Sequence, residues 1–190
     1  MQRQRRRRPD ARREEILEAA ARLLAGAGPT ALNMDEVALA AGAAKGTIYN
    51  YFSSRAELIA AVRESYARSL AALARDALLE GEETPARRWT RFAEVMLDFS
   101  LANQPLHHAL FQGEAMTEDR SMEPLRDVVR AFLDRQIQAG TLAVPRAEAL
   151  LRVLLDGFHG ALAAVAHEPG QREDFVAVAR LMGEALLGSG

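Results

Sequence analysis

Apolar residues recur along this chain at spacings of three and four, the signature of helices with one buried stripe. Ile16, Leu17, Ala20, Leu23, Leu24 and Ala27 form such a stripe and predict a helix over 10–27, ended by Gly26, Gly28 and Pro29. Residues 1–9 have no stripe and read as a disordered basic arm. Asn33 to Glu36 resembles a capping box, with Asn33 as N-cap and Glu36 reaching back, opening a short helix that buries Met34, Val37, Ala38 and Ala41 and stops at Gly42. A second short helix is predicted over 44–51. Ser54 to Glu57 is another capping box, and Leu58, Ile59, Val62, Tyr66, Leu70 and Leu73 carry the following helix from 55 to about 79.

Residues 81–84 form a polar break, closed by Thr84 as N-cap and Pro85 at the first helical position. Trp89, Phe92, Met96 and Phe99 line the next helix to about 103, which Pro105 breaks. A short piece over 106–112 precedes a loop at 113–122. Pro124 starts a helix to 139 with Leu125, Val128, Val129, Phe132 and Ile137 inward, and Pro145 starts another to 167. Pro169-Gly170 then breaks the chain before a last helix over 172–187. About nine helices and no alternating Val/Ile/Thr runs make the expected class all-α. The expected divisions are an arm at 1–9, a helix-turn-helix domain at 10–54, and a helical domain at 55–190 whose first helix is the connector.

Charge separates the two parts. Residues 1–63 carry 11 basic and 7 acidic side chains, whereas residues 64–190 carry 13 and 19, so the net charge of −2 hides a cationic first third suited to a polyanion. The chain has no cysteine, which excludes disulfides and thiolate metal sites. No apolar run approaches the roughly 18 residues of a membrane span. The basic cluster in MQRQRRRRPD is followed by no apolar segment, so no signal peptide is expected and the cytoplasm is the expected location.

The chemistry concentrates at 44–55. Lys45, the chain's only lysine, is a compact charge for a phosphate or guanine. Gly46 lets the backbone approach a phosphate closely, and the hydroxyls of Thr47, Tyr49 and Tyr51 can donate to phosphate oxygens. Asn50 can bond adenine bidentately or bond phosphate. Arg55 and the amides of the Asn33-capped helix add phosphate contacts. Ile48 and Phe52 belong to the small domain's core. The arginine arm is either a solubilising tail or a further phosphate contact.

In the second domain, Trp89, Phe92, Met96, Phe99, Phe111, Met116, Phe132 and Phe158 line either a core or a ligand pocket, with Asn103, His107, His108, Gln136 and His159 as its polar candidates. His107-His108, Asp156 with His159, and His167 are the candidate metal ligands; Asp156 and His159 share a helix face, but the adjacent histidines point apart and no HExxH-type pattern exists, so no metal or cofactor is expected. No serine sits in a nucleophile elbow, so no enzymatic triad is expected. Gly157, Gly160, Ala161 and Ala164 form a small-residue strip beside Leu150 and Leu154. With Phe175, Val178 and Met182 of the last helix they predict either a two-fold dimer interface or close packing within one subunit.

The run Met34-x-x-Val37-Ala38-x-x-Ala41-Gly42, then Lys45-Gly46-Thr47-Ile48-Tyr49-x-Tyr51-Phe52, then Arg55-x-x-Leu58 resembles the DNA-binding domain of TetR-type transcriptional regulators over about residues 10–60. The family pattern usually has valine and serine where this chain has Ala43 and Ala44, so Ala44 occupies the recognition helix's cap position without the usual hydroxyl. The resemblance implies a ligand-responsive repressor that binds a palindromic operator in double-stranded DNA as a homodimer, with an unidentified small-molecule effector held among helices 84–103, 106–112, 124–139 and 145–167. Two alternatives stay open: a small-molecule-binding or modifying protein whose helix-turn-helix is idle, and a module that recruits other proteins.

Overall fold

Two caps and two left-handed glycines, Gly28 and Gly42, shape the N-terminal helices. The computed structural model describes residues 9–111, 119–142 and 147–188. The first eight residues of the arginine arm, Met116 and Pro145 lie outside these, as does the side chain of His167. Among the described residues every regular element is helical. The helices are α1 (Pro9–Ala27), α2 (Met34–Ala40), α3 (Lys45–Tyr51), α4 (Arg55–Leu79), α5 (Pro85–Ala102), α6 (Gln104–Phe111), α7 (Glu123–Gln138), α8 (Ala147–His167) and α9 (Arg172–Leu187). Short 3-10 turns at Arg120–Met122 and Pro169–Gln171 precede α7 and α9.

The chain groups into two units that do not follow the expected division at residue 55. The described residues up to Ser65 and nearly all of α6 form the first unit; the second half of α4 with α5, α7, α8 and α9 forms the other.

In the first unit, Asn33 Oδ1 accepts from the Asp35 N–H at 2.9 Å and so caps α2, whereas the expected reach-back by Glu36 gives way to this shorter local bond. The α2 end closes with Ala43 N–H donating to Ala38 O at 2.8 Å and Gly42 N–H to Leu39 O at 3.1 Å, the paired bonds of a Schellman motif. Gly42 has φ +58°, a conformation that costs an L-residue roughly 1–2 kcal/mol. Arg12 fastens the same turn, donating to Ala41 O at 3.1 Å and Gly42 O at 2.8 Å. At the start of α4, Ser54 Oγ accepts from the Glu57 N–H, while the Glu57 carboxylate accepts from both the N–H and the hydroxyl of Ser53. Those bonds hold the Glu57 carboxyl below its usual range. Ile16, Leu24, Val37, Ile48, Phe52 and Leu58 are buried together in this unit's core, and burying a side chain of that size contributes about 1.5–3 kcal/mol. The Arg13 guanidinium lies 5.3 Å from the Phe52 ring centroid.

In the second unit, α5 packs most extensively on α9. Thr84 caps α5 ahead of Pro85. Arg91 reaches back to the end of α4, donating to Asp76 O at 2.7 Å, Ala77 O at 2.9 Å and Glu80 O at 3.1 Å, and so satisfies carbonyls left open by the helix terminus. Pro105 is not the breaker it reads as. α5 ends at Asn103, whose side-chain amide donates to Phe99 O at 2.8 Å, and Pro105 sits in the first turn of α6, where it lacks no needed N–H.

Tyr66 is buried on α4, its ring 5.3 Å from Phe99 and its hydroxyl bonded to Ser100. Burial pushes its phenol up to about 12. A group bound more tightly to its proton in the folded state stabilises the fold below its unfolded value near 10 and loses that contribution as pH climbs to about 12. Chemical denaturation of the wild type should therefore show a loss on the order of 2 kcal/mol between these pH values. Tyr66→Phe should lack that component of the alkaline limb.

Candidate functional site

Seven residues of α3 divide cleanly between core and surface. Ile48 is fully buried, Phe52 just beyond the helix is buried with it, and both therefore fix the helix by its inner face. Lys45, Gly46, Tyr49 and Asn50 are exposed, and Thr47 and Tyr51 are half-buried. Together these residues offer one cation, three hydroxyls and one amide within about two turns. Ala44 takes the N-cap position with extended backbone and supplies no side-chain cap.

Polar partners set how that face is presented. Lys45 Nζ lies 2.8 Å from Asp35 Oδ1 and 3.0 Å from Oδ2, a bridge from α3 to the first turn of α2. The Asp35 carboxylate raises the lysine's affinity for its proton. Arg55 donates to Thr30 O at 2.9 Å, so it pins the loop before α2 while its guanidinium stays at the surface. A Cβ added at Gly46 would meet nothing within 4 Å, so the packing of this unit does not require glycine there.

On α6, which groups with this first unit, His107 and Phe111 are buried with their rings 5.3 Å apart. Arg63 of α4 donates to Leu110 O at 2.6 Å and lies 5.5 Å from the Phe111 ring centroid. Neither His107 nor Phe111 thus shares a unit with the other candidate effector contacts. His108 is exposed on the same helix.

The remaining candidates sort by depth. Trp89, Phe92, Phe158 and Phe175 form a continuous aromatic chain, with centroid separations of 5.3, 6.4 and 5.4 Å. Met96 and Phe132 are wholly buried. Gln136 is buried with its carboxamide oxygen accepting from Thr141, whose hydroxyl also bonds Gln136 O, so this side chain closes the end of α7. Asn103 closes α5 in the same way. His159 is half-buried on α8. Among the described residues there is no cluster of three His, Cys, Asp or Glu side chains able to hold a metal, and no helix is long and apolar enough to cross a membrane.

Across α8 and α9 runs an open apolar groove of about 550 Å³. Trp89 and Ala93 of α5 contribute to it, as do Leu154, Gly157, Phe158, Ala161, Ala164, Phe175, Val178 and Met182. Leu150 does not reach it. That side chain turns inward to a small void beside Trp89, Leu133 and Leu187. Val153 and Leu181, which the helical stripe did not single out, are instead exposed at 66% and 63%. Gly157 and Gly160 have nothing within 4 Å of an added Cβ, so none of the described residues packs closely against them.

Comparison with known proteins follows the same division. Residues 16–62 match the family model of bacterial regulatory proteins, tetR family. The HTH-type transcriptional activator FasR of Mycolicibacterium smegmatis is 29% identical over 125 residues, 66% of this chain; the match spans only 57% of that relative's length. Two solved structures resemble nearly the whole chain. The fatty acid degradation regulator FadR from Bacillus halodurans has a TM-score of 0.70 at 19% identity, over 96% of this chain and 97% of its own. The transcriptional regulator FadR from Bacillus subtilis, solved in complex with stearoyl-CoA, has a TM-score of 0.71 at 18% identity, over 93% of this chain and 99% of its own. At such identities the likeness shows the fold.

Proposed function

We propose that the chain, whose residues 16–62 match the family model of bacterial regulatory proteins, tetR family, is a ligand-responsive transcriptional repressor acting on duplex DNA as a homodimer. The observation that carries the reading is α3: an inner face locked by Ile48 and Phe52, and an outer face offering Lys45, Thr47, Tyr49, Asn50 and Tyr51. In the major groove, Asn50 reads a base edge while Lys45 and the hydroxyls bond phosphates or guanine. Arg55 adds charge at the rim.

The second copy sits on the α8–α9 groove. Support comes from the open space over Gly157 and Gly160 and from the exposed Val153, Val178, Leu181 and Met182, which together form an apolar surface uncovered by the described residues of the subunit. A two-fold pair of α3 helices meets half-sites roughly one helical turn apart, so the operator is palindromic. An effector held in the second unit acts by preferring a dimer whose α3 spacing misses that pitch, and α4, common to both units, transmits the preference. The complex of the Bacillus subtilis regulator with stearoyl-CoA makes a long-chain acyl thioester the first compound to titrate.

Selection of bound sequences from random duplex DNA tests this function; a palindrome is expected, and recovery of no preferred sequence rejects it. With that operator in hand, Gly46→Ala gives a two-sided measurement. The open space at Gly46 means that alanine should stabilise the free protein by about 0.5–1 kcal/mol. Operator affinity should fall by about 1 kcal/mol as the methyl holds the backbone off a phosphate. Unchanged affinity would remove Gly46 from the interface.

A further inference from the structure

Lys45 is not a free cation in the unbound protein. Both oxygens of Asp35 engage it, at 2.8 and 3.0 Å, across the turn between α2 and α3. The Asp35 backbone is itself held by its N–H bond to the Asn33 side chain, so the carboxylate is delivered to a set place. The two side chains remain 60% and 57% exposed, which leaves the pair within reach of a polyanion. The neighbouring Arg55 differs: it donates to a neutral carbonyl rather than to a carboxylate. On the reading face itself, the sole positive charge of α3 is thus matched by a negative one contributed from α2.

We propose that Asp35 is a specificity-determining residue of the DNA-reading surface, holding Lys45 off the phosphates of random duplex while leaving it able to donate to a base edge on a matched site. The inference rests on the proposed DNA-binding function. Its physical basis is that sequence-independent binding comes almost wholly from phosphate neutralisation and counterion release. A lysine already paired with a carboxylate contributes little to that, and the carboxylate repels phosphate. On the operator, contacts from Thr47, Tyr49 and Asn50 hold α3 close enough for the third N–H of Lys45 to reach a guanine while Asp35 keeps the ammonium in place. On random DNA the same pairing keeps Lys45 from the phosphates. Discrimination then arises from a penalty on the wrong partner rather than added attraction to the right one.

The test compares Asp35→Asn with Glu36→Gln, which removes the same charge one residue along the helix. Fluorescence anisotropy gives affinity for the selected operator and for a scrambled duplex of equal length over a salt series. Asp35→Asn should tighten scrambled-duplex binding about three- to tenfold near 0.1 M salt and steepen its salt slope by about 0.9, the increment for one further phosphate neutralised. The operator should gain less than about twofold, so that the ratio between the two falls. Adding Lys45→Ala should abolish the gain. Asp35→Ser, also suited to a first helical turn, serves as a second neutral variant, and thermal unfolding checks that each is folded. Equal effects of Asp35→Asn and Glu36→Gln, or an unchanged ratio, overturn the proposal. Wild-type protein showing no salt-sensitive affinity for any duplex instead rejects the DNA-binding function on which it stands.

Discussion

Gly157→Leu should split the proposed homodimer and weaken operator binding by about 10²–10⁴-fold, the factor gained when two linked modules engage two sites together. The substitution is chosen because the subunit offers no reason for it to unfold. Nothing lies within 4 Å of an added Cβ at Gly157, and glycine inside a helix is itself unfavourable by about 0.5–1 kcal/mol relative to alanine. The folded subunit should therefore tolerate leucine, while a second copy brought against the small-residue strip meets a new branched side chain. Sedimentation velocity should show the monomer, circular dichroism an intact helical fold, and anisotropy the loss of affinity. A Gly157→Leu protein that stays dimeric would show that the strip is not the contact. Val178→Asp, on the same surface but without added bulk at the strip, provides the second probe.

Gly183→Val should do the reverse, destabilising the subunit by about 3 kcal/mol or more. Gly183 faces α5 at close range. An added Cβ would stand 2.9 Å from Trp89 Cδ1 and 3.1 Å from Ala86 O, and the second of these is backbone that cannot rotate away. Ala86 and Trp89 are both buried, and the Ala86 carbonyl is held in the α5 backbone. For a chain of this size each kcal/mol lowers the melting temperature by about 2–4 °C, which places the expected fall near 10 °C. Gly183→Ala should fall between, since its helix-propensity gain of about 1 kcal/mol offsets part of the clash. A melting temperature for Gly183→Val within about 2 °C of wild type would mean that α5 and α9 do not meet as closely as described.

These glycines show what a linear sequence conveys and what it withholds. The small-residue strip on α8 was visible as a pattern, but a pattern does not reveal whether its partner lies inside the subunit or outside. The empty space above Gly157 and Gly160 is what supports a partner outside it. Gly183, by contrast, carries no signal in the chain, because its neighbour Trp89 is nearly a hundred positions away. The inward turn of Leu150 and outward turn of Val153 have a related cause. A helical stripe is about 100° wide, the angle between successive residues, so neighbouring positions exchange faces on a small rotation.

The recognition helix was legible because its code is local: a capped helix, a glycine turn and a dense polar face fall within twenty residues. The side chains that fasten it were not. Arg12 clips the turn from 29 and 30 residues away, and nothing distinguishes it in the sequence from the other arginines of the N-terminal region. Arg91 and Gln136 likewise close helix ends, although composition suggests a surface charge and a ligand contact respectively.

The grouping of α6 with the N-terminal helices bears on how the protein is made. Because Arg63 finds an acceptor at Leu110, a fragment stopped at Ser65 would leave its own last helix without that partner. During synthesis the first unit stays unfinished until residue 111 has left the ribosome, by which time α5 has also emerged. The unit that carries α3 is thus encoded by two separate stretches of the gene.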